Sequence, residues 1–194
     1  MRSGLNRDDL ATAVGEDNVH VLPRHTALQY GFGGDTLRFL TEVGIPSSEE
    51  WELPFGIPED FDPDLVWDCA SRRERGWTFP EGVTRIVPLG DFPINAVVVD
   101  PDSGVVLQYT DAFQTAIPIH QDLSSFAQTL VSFVGYIESY ASAPAEDPEA
   151  EDTRRAAEVR DLMETITRVD PLPFADPNSE WVELFDNLAG GVYT

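Results

Sequence analysis

Apolar and polar positions follow two rhythms along this chain, and the change of rhythm marks its elements. From Gly82 to Tyr140 the pattern predicts three or four strands feeding one long amphipathic helix. Arg85 to Leu89 is one strand, ending at Gly90-Asp91. Asn95-Ala96-Val97-Val98-Val99 is a continuous apolar run rich in β-branched residues, as expected of a strand buried on both faces. Asp100-Pro101-Asp102-Ser103-Gly104 then supplies a fixed φ, short side chains that bond nearby backbone, and a residue free to take positive φ. Val105 to Tyr109 resumes strand character, so the pair reads as a hairpin. A further strand follows at Thr115 to His120. Leu123, Phe126, Ala127, Leu130, Val131, Val134 and Ile137 then recur at the spacing of a single helical face.

The flanking segments show shorter signals. Asn6 can cap a first helix, with Asp8 and Asp9 at its positive end and Gly15 as its stop. Val19 to Leu22 is a brief strand. Tyr30-Gly31-Phe32-Gly33-Gly34-Asp35 has glycines before a helix, but no Lys-Ser/Thr follows and Asp35 would repel an anion, so Asp35 reads as an N-cap. The helix from Thr36 to Val43 buries Leu37, Leu40 and Val43, and Gly44-Ile45-Pro46 ends it. Leu65 to Ala70 fits either a strand or a short helix. Trp77 and Phe79 are expected to line the sheet. After Tyr140, residues 141–152 have the Ala, Pro and acid of a linker. Val159, Leu162, Met163, Ile166 and Val169 mark another amphipathic helix. Asp176-Pro177 is read as the cap and first turn of a last one, striped by Trp181, Leu184, Phe185 and Leu188. The expected fold is therefore α+β: an antiparallel meander packed against helices, with C-terminal helices, in one domain. Its core spans about 19–140, with a helical appendage over 153–191.

Charge changes the picture more than length does. A net charge of −23, with twelve arginines and no lysine, argues against binding nucleic acid through its phosphates. It suits a basic protein partner or simple solubility. The single Cys69 leaves no intramolecular disulfide and fits a reducing, cytoplasmic setting. No apolar run reaches the ~18 residues of a membrane span, and the first residues lack a signal-peptide core.

Candidate chemistry is sparse. His20, His25 and His120 lack metal-ligand spacing, and His120 at a strand end reads as exposed or locally satisfied. There is no G-x-S-x-G elbow. Asp91, Asp100 and Asp102 fit turn chemistry better than an acid pair. Arg72 and Arg73 lie near Cys69, yet no histidine accompanies that thiol. Arg72, Arg73 and Arg75 are expected to pair with the protein's own acidic loops. No catalytic residue, metal or cofactor is expected. The acidic-aromatic stretch Glu49 to Asp64 has two readings: a solvated loop anchored by its aromatics, or a recognition loop.

The order of segments resembles a known family. Gly34-Asp35-Thr36-Leu37-Arg38-Phe39-Leu40-Thr41-Glu42-Val43-Gly44-Ile45-Pro46 precedes a meander of Leu89-Gly90-Asp91, Asn95 to Asp100 and Val105-Val106-Leu107. The helix Leu123 to Leu130 closes it. This arrangement is similar to the SUKH superfamily, in particular its fourth subgroup of immunity proteins from bacterial polymorphic toxin systems. The likeness covers about Val19 to Tyr140 and the Asp176 to Leu188 helix. It implies a non-catalytic α+β protein that binds and neutralises a cognate toxin, often a nuclease or deaminase. A regulatory or scaffolding domain without a toxin is the alternative, and a ligand-binding or enzymatic role in the concavity of the sheet is a weaker third. On the first reading, Trp51, Phe55 and Phe61 supply apolar anchors. Glu50, Asp60, Asp62 and Asp64 supply a field that steers a basic toxin, and Asp91 is a further partner-binding candidate.

Overall fold

The computed structural model describes residues 5–48, 53–140 and 148–192. Helix α1 (Arg7–Val14) starts at a capping box in which Asn6 and Asp9 satisfy each other's backbone amides. Strand β1 (Val19–His20) pairs with β2 (Ile45–Pro46), and α2 (Arg24–Gln29) and α3 (Gly34–Arg38) lie between them in sequence. Gly33 rather than Asp35 is the N-cap of α3, and Asp35 pairs instead with Arg38 at 3.0 Å. The helix continues through Phe39–Val43 as a π-type turn, in which Gly44 N–H reaches back five residues to the Phe39 carbonyl. That extra residue rotates the face inward at Phe39, which is buried, and leaves Val43 half-buried.

The meander has five strands in chain order: β3 (Trp67–Asp68), β4 (Arg85–Asp91), β5 (Ala96–Val99), β6 (Val106–Thr110) and β7 (Thr115–His120). Every neighbouring pair is antiparallel. The extra strand arises because Leu65 to Ala70 resolves into both alternatives, β3 followed by the short helix α4 (Cys69–Arg73). Val97, Val98 and Val99 are fully buried, the consequence of a β5 run with no polar face. A register shift between Pro88 and Gly90 bulges β4. Gly90, at φ 145°, is where residues 54–56 cross the strand. A Cβ at that position would collide with the Pro54 carbonyl oxygen.

One face of the sheet carries α5 (Leu123–Tyr140), whose Phe126, Ala127 and Leu130 are fully buried. Helices α6 (Pro148–Val169) and α7 (Glu180–Ala189) complete the same side. Helix α6 begins inside the stretch expected as a linker. Asp176 does not cap α7. Its Oδ1 accepts from Asn178 N–H in a local turn, and Ser179 occupies the cap position. Trp181 of α7 sits at the centre of the core, with Phe92, Phe126, Phe133 and His120 around its ring at centroid distances of 5.0–6.4 Å. The opposite face of the sheet is covered by a smaller cluster of Cys69, Val83, Ile86, Val98, Leu107, Tyr109 and Ala116, with Trp67, Trp77 and Phe79 over it.

Phe126→Ala and Leu130→Ala each remove a fully buried side chain from the interface of sheet and helix. Each is expected to cost about 2–5 kcal/mol in denaturant unfolding. A loss near the ~0.5 kcal/mol of surface substitutions at both sites would displace α5 from this role.

Candidate partner-binding surface

The acidic-aromatic stretch is pinned at both ends, by different elements. At its start, Ser48 and Leu53 exchange backbone hydrogen bonds, and Ser47 Oγ accepts from Phe55 N–H. Gly56 N–H donates to the Leu89 carbonyl on β4 at 2.6 Å. Further along, Thr26 Oγ1 donates to the Glu59 carbonyl, and Tyr30 Oη accepts from Asp62 N–H at 3.1 Å. These anchors turn Phe55 and Phe61 inward. Phe55, expected as a partner anchor, is 2% exposed and meets Phe92 and Phe126 edge-on at 5.7 and 5.0 Å, which makes it a core residue. Phe61 is half-buried, edge-on to Tyr30 at 4.9 Å. Glu50 and Trp51 lie outside the described residues.

The acids face the other way. Asp60, Asp62 and Asp64 are all exposed, and none forms an ion pair among the described residues. Asp62 Oδ1 accepts from Asp64 N–H, which opens a single 3₁₀ turn at Pro63–Leu65. Asp91 is exposed at the end of β4, one residue beyond the Gly90 crossing. Among its described residues, the rings of Phe55 and Phe61 hold the backbone and the carboxylates of Asp60, Asp62 and Asp64 meet solvent.

The arginine cluster behaves differently from the expectation of pairing with acidic loops. Arg72 stacks over Trp67 at 4.5 Å and donates to Tyr109 Oη at 2.7 Å. Arg73 donates to the Val83 carbonyl and lies over Phe79. Arg75 donates to the Ser71 carbonyl. Aromatic faces and carbonyls stand in for carboxylates here, as the flat, weakly hydrated guanidinium permits. Cys69 beneath them is inert, because burial pushes its thiol up to about 11.

Two buried carboxylates escaped the sequence reading. Asp170, just after α6, accepts hydrogen bonds from His120 Nδ1, Gln121 N and Ser125 Oγ on one oxygen, and from Gln121 Nε2 and Leu172 N on the other. An ionised carboxylate only accepts, so Nδ1 of His120 carries the proton. These donors hold the Asp170 carboxyl far below the usual range against the opposing effect of burial. His120 is fully buried, so of the two expectations for a strand end the exposed one fails, and its Nδ1 is satisfied by Asp170. Desolvation holds its imidazole below 6.5. Ser125 and His120 both bond Asp170 rather than each other, so no nucleophile meets a base. The group clamps β7, α5 and the end of α6 together. The second carboxylate, Glu180, is 3% exposed and accepts from Ile94 N–H, Asn95 N–H and Asn95 Nδ2. Burial raises its pKa above 4.5 despite these donors. Both clamps span 45–86 residues of sequence, so no local pattern announces them.

Among the described residues no group of three or more His, Cys, Asp or Glu is placed to hold a metal ion. No helix among them is long and apolar enough to cross a membrane. The described residues form an α+β meander packed against helices, with exposed carboxylates on the loop before β3. The chain belongs to the SUKH-4 immunity protein family, which matches residues 5–187. It is an immunity protein by that membership. No curated protein matches the chain significantly, and no solved structure does either.

The two clamps give opposite pH signatures. Unfolded His120 takes up a proton near 6.5 while the folded imidazole resists it, so its contribution to stability drains as pH falls below 6.5. Asp170 stays ionised in the fold, so its contribution is complete above 3.8 and is lost as pH drops below that value. Glu180 binds its proton more readily folded than unfolded, so its contribution shrinks as pH rises through 4.5 and beyond. The thermal midpoint is expected to fall between pH 7.5 and 5, and His120→Asn to flatten that slope. Asp170→Asn is expected to cost about 1.5–3 kcal/mol at pH 7, the scale of hydrogen bonding to a charged group. A slope equal in wild type and His120→Asn would remove His120 from the account.

Proposed function

We propose that the protein binds a cognate toxin and neutralises it stoichiometrically in the cytoplasm, with no catalysis of its own. The observation that carries this reading is the set of exposed, unpaired carboxylates Asp60, Asp62 and Asp64, on a chain of net charge −23 within an immunity family. A nuclease or deaminase toxin of a polymorphic toxin system must hold a polyanionic substrate, so it carries the basic surface these acids complement. Complementary fields raise the encounter rate and reject wrong partners more than they add affinity. Asp91 extends the acidic surface at the end of β4. Phe61 contributes what remains exposed of its ring, and Phe55 acts from below by holding the loop's backbone. Glu50 and Trp51 belong to the same proposed surface.

Co-expression with the reading frame adjacent to the gene tests the reading through growth rescue and co-purification. The triple change Asp60→Asn, Asp62→Asn and Asp64→Asn empties no core. It is expected to slow association by about 10-fold at low salt and to flatten the salt dependence, while the melting temperature barely moves. Unchanged association and salt slope would remove this loop from the steering surface.

A further inference from the structure

We propose that specificity for the partner resides at one end of the sheet, where Ile94 and Phe113 project as two apolar knobs. The occupant is a partner face with an apolar recess rimmed by Arg or Lys. This inference rests on the immunity reading and names the part of the molecule that would distinguish one toxin from another.

The meander itself brings the knobs together. In consecutive antiparallel strands alternate turns share an end, so the β4–β5 turn and the β6–β7 turn emerge side by side. The pairings of Asp91 with Ala96 and of Thr110 with Thr115 close both turns there. Two strand spacings separate the hairpins, which puts their tips roughly 10 Å apart. Ile94 is 68% exposed on the first turn and Phe113 is 71% exposed on the second. One large exposed apolar residue needs no explanation, but two on adjacent tips form a pair of anchors.

The turns are also held in shape. Three donors on the first turn, Ile94 N–H, Asn95 N–H and Asn95 Nδ2, converge on the buried carboxylate of Glu180 at 2.8–2.9 Å. Phe92 beside them is buried against Trp181. Glu180 is itself fixed, because Gln108 Oε1 accepts from its N–H at 2.7 Å while Gln108 Nε2 donates to the Asn178 carbonyl. The second turn is bridged by Thr78, whose N–H donates to the Gln114 carbonyl and whose hydroxyl meets Thr115 Oγ1 at 2.7 Å. Burying a carboxylate is costly, and this one directs its hydrogen bonds at an exposed loop rather than at the core. The result is a knob whose backbone need not be ordered on binding, the condition under which a small contact gives high affinity.

Charge identifies the occupant. Asp91 and Asp111 flank the two knobs in sequence, and Glu183 lies one helical turn beyond Glu180. All three are exposed, and none is in an ion pair among the described residues. An apolar pair with these exposed carboxylates nearby, and Arg75 held on the Ser71 carbonyl, disfavours a second copy of this chain and suits a basic partner, with Ile94 and Phe113 excluding water on contact.

The test uses the full chain and the product of the reading frame adjacent to its gene. Ile94→Asp and Phe113→Asp are each expected to weaken the complex by about 30-fold or more, the scale of interface hot spots. Leu28→Asp, at an exposed site on α2, should leave it unchanged. Melting temperatures confirm folding, and Ile94→Ala with Phe113→Ala give the same ordering if Asp disturbs the turns. Wild-type protein that fails to bind or rescue would overturn the immunity reading, and this inference with it. Wild-type binding with unweakened knob variants would overturn the inference alone. So would sedimentation showing that the knobs join two copies of this chain.

Discussion

The buried carboxylate of Asp170 is the constraint from which most of the architecture follows. It gathers the end of β7, the first turn of α5 and the exit from α6 around one charge, through five donors. A charge in that position is tolerable only when every lone pair is engaged, so each of the three elements must reach it at the correct height. Once they do, α5 lies across the sheet and the chain after α6 is aimed back toward β6. Trp181 can then enter the core from α7, and Glu180 can reach the opposite end of the sheet. The C-terminal helices are thus tied to the meander by polar geometry as well as by apolar contact.

Much of this was legible in the chain, for reasons tied to particular residues. Strand β7 falls at Thr115–His120 and α5 starts at Leu123, because both carry unbroken periodicity between strong turn signals. The capping box at Asn6 is a local motif and appears where its spacing places it. The stripe of Trp181, Leu184, Phe185 and Leu188 is buried as its period requires. Other features depended on partners distant in sequence. Asp176-Pro177 has the chemistry of a helix start, yet the Gln108 bond to Glu180 N–H fixes the helix a turn later. Arg72 met Trp67 and Tyr109 instead of acids because the fold places rings there. Of the two readings of the acidic stretch, the buried Phe55 fits the loop anchored by its aromatics and not the partner anchor, since alternation between rings and acids does not say which side faces the core.

Separating rings from acids has a further meaning under the proposed binding role. A loop whose aromatics are already docked changes little when its carboxylates meet a partner, so steering and anchoring can be assigned to different places on the surface. Under the proposed function, Asp60, Asp62 and Asp64 would act at range through their field, whereas exposed apolar groups act only on contact. On the proposed reading, altering the contact residues would change partner choice and leave the general attraction intact.

The buried Cys69 carries an experimental convenience. Its thiol lies beneath the rings of the outer face with its proton firmly held, so alkylating reagents at neutral pH would pass it by. A second cysteine introduced on either exposed turn would be the single nucleophilic sulfur in the folded chain. Fluorophores or spin labels then become addressable to one chosen position without first removing the native residue, and distances across an eventual complex become measurable in the otherwise unaltered protein.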